Sequence, residues 1–78
     1  MSSTQQSVIR MANQIARNFA VHGDALAIEE TAEHIRLFWD PRMKEQAIEL
    51  LTEDDCGLSA QARAALSQIA NEADHHAA

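Results

Sequence analysis

The sequence predicts an all-α fold, a small antiparallel bundle of three to four short helices, and three observations predict it. Apolar residues recur at helical spacing in four separate stretches, and nowhere do they alternate with the period of a strand. The one proline and the two glycines fall where a helical pattern stops. At 78 residues the chain is the size of one domain, taken as 1–78 with 1–5 and 74–78 expected to fray.

Val8, Met11, Ile15 and Phe19 make the apolar stripe of a first helix. "SSTQQ" signals its start, with Ser3 as cap and Gln6 reciprocating, and Gly23 ends it. Ala12, Ala16 and Ala20 lie four residues apart on one face, where small side chains admit a close neighbour. Core packing is the plain reading of that face and a dimer seam the alternative. Asp24 is the expected N-cap of a second helix, striped by Ile28, Ala32, Ile35 and the Phe38/Trp39 pair.

"DP" at 40–41 is the sharpest punctuation in the chain. A residue before proline is pushed away from helical dihedrals, so helix two should end near Trp39. Asp40 is a good N-cap and Pro41 suits the first helical position, so a third helix should start there, striped by Met43, Ala47, Leu50 and Leu51. "TEDDCGLS" (52–59) reads as a turn or loop, with Ser59 capping a fourth helix lined by Ala62, Leu66, Ile69 and Ala73.

Composition narrows the function. A chain this short balances burial against ordering entropy near zero, so it needs a staple, very good helix packing or a partner. Cys56 is alone, which rules out an internal disulfide and fits a reducing compartment. "MSSTQQSVIR" has no apolar run suited to a signal peptide, and no stretch approaches a membrane span; the expectation is a cytoplasmic chain with no membrane contact. Six Lys and Arg against twelve Asp and Glu give a net charge of −6, which argues against nucleic acid as partner.

Chemistry-bearing residues are sparse. Glu30 and His34 are spaced i, i+4 and would suit either an ordinary solvated pair or part of a metal site, but two ligands do not make a site. His75 and His76 fall in the expected tail, and His22 stands apart. Cys56 sits in "DDCG", among carboxylates, a poor setting for a nucleophilic thiolate. There is no glycine-rich phosphate loop, and four short helices leave little room for a concave site. The chain is expected to be non-catalytic, with no cofactor or metal of its own.

The unusual stretch is "EHIRLFWDPRMKEQ" (33–46). It holds Phe38 and Trp39, two of only three aromatic residues, and Arg36, Arg42 and Lys44, half of the basic ones. At about 100° per residue, Phe38 and Trp39 flank the stripe centred on Ile35. Leu37 lies on the opposite side with Leu26, so the helix is apolar on more than one side: central in its domain, or half covered by another protein. Arg with Trp is a frequent interface combination, and cations in the first turn of helix three oppose its dipole. The expected partner-binding set is therefore Arg36, Leu37, Phe38, Trp39, Arg42 and Lys44; the alternative is that Trp39 plugs the bundle and the basic residues balance acids of the same chain.

"VIRMANQIARNFA", followed about a dozen residues later by "AEHIRLFWDPRM" and then by "GLSAQARAAL", resembles the small delta subunit of the NAD-dependent, molybdenum-containing formate dehydrogenases of bacteria, over roughly residues 7–66. The motif positions carried over are Arg10, Met11, Asn13, Gln14 and Ile15, then His34, Ile35, Phe38, Trp39, Asp40, Pro41, Arg42 and Met43. "TEDDCG" is more acidic than the glycine-rich connection of that family. The resemblance implies a cytoplasmic complex that oxidises formate to carbon dioxide and reduces NAD. Its larger subunits would hold the molybdenum pterin, the iron–sulfur clusters and FMN, while the delta subunit, without a cofactor, docks on the large catalytic subunit and supports its assembly or stability. In such a part Trp39, Phe38 and Leu37 would anchor, and Asp40 with Pro41 would shape the corner. Asn13 is expected to hydrogen-bond to the 39–41 corner. The rival readings are a small helical DNA-binding regulator, a metal or redox protein using His22, His34 and Cys56, and a stand-alone homo-oligomer formed through the same apolar surface.

Overall fold

The computed structural model describes residues 3–53 and 56–77, the side chains of residues 3 and 73–77 excepted. Helix α1 spans Ser3–Phe19 and runs into a 3-10 turn, Ala20–His22. Gly23 follows at φ +92°, a conformation that costs a residue without a Cβ little, and the chain turns there into α2, Asp24–Phe38. Gly23 is the N-cap of α2, so Asp24, expected as the cap, is instead in the first turn, where its negative charge favours the helix dipole. Helix α3 spans Pro41–Glu49 and ends in a second 3-10 turn, Leu50–Thr52; α4 spans Ala60–Ala77. The described residues contain four α-helices and no strand. Ser3, expected to cap α1, is already its first helical residue, and α4 is helical to Ala77. Met1, Ser2 and Ala78 lie outside the described residues.

Two starts follow the sequence closely. The Asp40 carboxylate accepts a hydrogen bond from the Met43 amide at 2.9 Å, with Pro41 in the first turn, so the corner is a capped helix start held by proline. The Ser59 hydroxyl accepts one from the Ala62 amide at 3.1 Å at the head of α4.

Helix α2 is the centre of the bundle, packing most extensively against α4 and then against α1. Helix α3 packs on α1 and α4; α2 and α3, although consecutive, do not pack side by side. The radius of gyration, 11.6 Å, is close to the roughly 11.5 Å expected of a chain this long folded alone. One cluster forms the core, including Val8, Ala12, Ala16, Ile35, Trp39, Leu50 and Leu66.

Helix α1 departs from its expected phase. The buried side chains are Val8, Ile9, Ala12 and Ala16, an arc turned by about 70° from the stripe Val8–Met11–Ile15–Phe19. Alanines face the core because a small side chain lets the neighbouring backbone come close, which gains dispersion contacts along the helix. Core packing is thus the role of Ala12 and Ala16, while Ala20 is exposed. The larger residues are displaced to the edge: Met11 is 41% exposed, and Ile15 and Phe19 are partly buried.

Candidate functional site

The corner that ends α2 and begins α3 divides the six residues expected to bind a partner. Trp39 is only 6% exposed and belongs to the core cluster. This corrects the expectation of an exposed indole anchor: Trp39 lies about 40° from Ile35 on the wheel, on the buried side of α2, and the bundle encloses it. Leu37 and Phe38, by contrast, are 66% and 72% exposed. Helix α2 is therefore central and still leaves apolar surface uncovered at its C-terminal end.

The basic residues are also divided. Arg36 makes a two-pronged contact with the Glu72 carboxylate of α4, Nε at 2.9 Å and Nη2 at 2.7 Å. The Lys44 ammonium donates to the Arg36 carbonyl at 3.1 Å, satisfying a carbonyl at the end of α2. Both side chains thus serve the fold, Arg36 by pairing with an acid of the same chain and Lys44 by satisfying backbone. Arg42 is exposed and makes no hydrogen bond or ion pair among the described residues.

Asn13 does not reach the 39–41 corner. Its amide donates to the Gly57 carbonyl at 2.9 Å and accepts from the Ser59 amide at 2.8 Å. The side chain thereby clamps the backbone that leads into α4, 44 to 46 residues away in sequence. Gly57 holds φ +103°, and a Cβ there would stand 3.6 Å from Ile9 Cγ2. From the other side, Arg63 on α4 donates to the carbonyls of Leu51 at 3.1 Å and Glu53 at 2.6 Å, and approaches Cys56 Sγ at 3.4 Å. Cys56 itself is buried.

What collects at the surface is an apolar groove along the seam of α1 and α2. Arg10, Met11, Gln14 and Ile15 line it from α1, His34 lines it from α2, and Trp39 contributes from the corner, around about 310 Å³. An aromatic row continues it: the His34 ring lies 4.8 Å from Phe38 and 6.4 Å from Phe19, centroid to centroid. Trp39, although buried, thus has an edge on this groove. The groove was missed as a surface in the sequence, although all six of its lining residues stand in the two stretches that carry the resemblance. The available signal was the width of the apolar arc on α1, too broad for one core face once the alanines are counted.

A second depression, between α2 and α4, is acidic. Glu29, Glu30, Glu33 and Glu72 line this open space of about 580 Å³ with Leu26, Arg36 and Gln68. That face would repel a nucleic acid backbone. Glu30 pairs with His22 at 2.6 Å and not with His34, so the i, i+4 pair is not formed. Among the described residues no group of three or more His, Cys, Asp or Glu is placed to hold a metal ion, and no helix is long and apolar enough to cross a membrane. His75 and His76 lie on the helical backbone of α4, with side chains outside those described.

Comparison with known proteins gives one family. Residues 7–66 match the model of the NADH-dependent formate dehydrogenase delta subunit, FdsD. No curated protein and no solved structure matches the chain. The matched span includes most of α1, all of α2 and α3 and the first part of α4, well over half of the 78 residues, and the chain belongs to that family.

Proposed function

We propose that this delta subunit is a non-catalytic, cytoplasmic accessory subunit that docks on the large molybdenum-containing subunit of a formate dehydrogenase and supports its assembly or stability. The observation that carries the reading is the uncovered apolar surface at the end of α2. Leu37 and Phe38 are 66% and 72% exposed in a chain small enough to be marginal without help. Exposed apolar surface gathered in one place is characteristic of an interface. Membership of the family supports the choice of complex. In this reading the formate chemistry, the molybdenum pterin, the iron–sulfur clusters, FMN and NAD all belong to the other subunits. Phe38 and Leu37 are the apolar contacts, Arg42 is a cation available for pairing, and Trp39 acts from beneath by holding the corner.

The test is expression of the complex with and without this chain. Omitting it is expected to lower the yield of assembled, molybdenum-loaded catalytic subunit, with formate-dependent NAD reduction falling in proportion. Equal yield and equal activity in both preparations would refute the reading.

A further inference from the structure

We infer that the groove along the α1–α2 seam seats an apolar helix of the partner whose flank carries a carboxylate, and that Arg10 pairs with that carboxylate. The inference rests on the docking reading above and adds which surface is used and what chemistry fills it. The groove is lined by Met11, Ile15, His34 and the edge of Trp39, with Arg10 and Gln14 as its polar residues. Arg10 is the one cation in that lining, it is exposed, and it makes no hydrogen bond or ion pair among the described residues. Among the described residues no acid lines the groove, whereas four glutamates gather around the separate depression between α2 and α4. On a chain of net charge −6, an unpaired arginine beside an apolar trough is complementary to an acid-flanked apolar segment.

The walls select the shape of the occupant. Both are α-helices, and the described residues offer no strand edge on which an extended segment would gain main-chain hydrogen bonds. A third helix laid along the seam sets its apolar ridge between α1 and α2, as helices pack within a bundle. The aromatic row His34–Phe38 lengthens the trough toward the C-terminal end of α2. A second copy of this chain fits less well, because it adds a further −6 of charge.

The test uses the co-expressed complex of this chain with the catalytic subunit. Met11→Asp and Arg10→Glu are each expected to lower co-purification by about tenfold or more, with helicity retained. Leu26→Asp, on the acidic side, should leave it unchanged. Arg10→Gln should also weaken the dependence of association on salt, since one screened charge pair is gone. With p-benzoylphenylalanine in place of Gln14, light is expected to cross-link the chain to a helix of the catalytic subunit that bears Asp or Glu beside its apolar face. Two results overturn the groove and leave the docking reading standing: groove variants that co-purify fully while Leu37→Asp does not, or a cross-link to an extended or basic segment. A cross-link to a second copy of the chain overturns the groove's assigned occupant. Failure of the wild-type chain to travel with the catalytic subunit overturns both.

Discussion

Trp39→Ala separates a core residue from a surface anchor, and its cost follows from burial. The indole is 6% exposed within the main core cluster, so truncation removes a large buried side chain and leaves a cavity that the short corner at 39–40 fills poorly. Such a change costs about 3–5 kcal/mol. A 78-residue domain has roughly 4–12 kcal/mol in total, at about 0.05–0.15 kcal/mol per residue. At about 4–8 °C per kcal/mol for a domain of this size, the midpoint should fall by about 12–40 °C. Phe38→Ala is the control next door: with Phe38 72% exposed, little area returns to water and the loss should stay below about 1 kcal/mol. Thermal melts followed by far-UV circular dichroism, with urea titration as a check, measure both. A Trp39→Ala chain that melts within about 5 °C of the wild type, or a Phe38→Ala chain that falls as far as Trp39→Ala, would refute the assignment of one side chain to the core and the other to the surface.

Three further outcomes follow from the hydrogen bonds. The Thr31 hydroxyl is buried in α2 without a hydrogen-bond partner among the described residues, so Thr31→Val, which keeps the shape and removes the stranded group, should stabilise by about 1 kcal/mol in urea titration. Asn13→Ala loses both bonds of the clamp on Gly57 and Ser59 and should cost about 1–3 kcal/mol, with faster hydrogen exchange concentrated at the loop leading into α4. Asp40→Ala should cost about 0.5–2 kcal/mol by uncapping α3, and Asp40→Asn, which can still accept from the Met43 amide, should recover most of it.

Legibility in the sequence tracks the range of the forces involved. The corner at Asp40 and Pro41 and the cap at Ser59 were readable because proline's dihedral restriction and a capping bond act within three or four residues. The cap of α2 was displaced by one residue, since Gly23 takes the positive φ that Asp24 avoids. Arg36 looked like a free interface cation because its partner, Glu72, lies 36 positions along the chain, and nothing local marks the pair. Asn13 was recognisable as a polar residue with a purpose, but its partners are brought to it only when α4 packs on α1.

By itself the sequence determined that the chain is helical, where the turns between its helices fall, and to which family it belongs, because periodicity, caps and motifs are properties of neighbouring residues. The tertiary structure decided the rotation of each helix: that alanines of α1 face inward, that Trp39 is enclosed, and that Met11, Leu37 and Phe38 remain outside. The physical reason is that an apolar arc wider than one contact face leaves several rotations of comparable merit, and only close packing against the other helices selects among them.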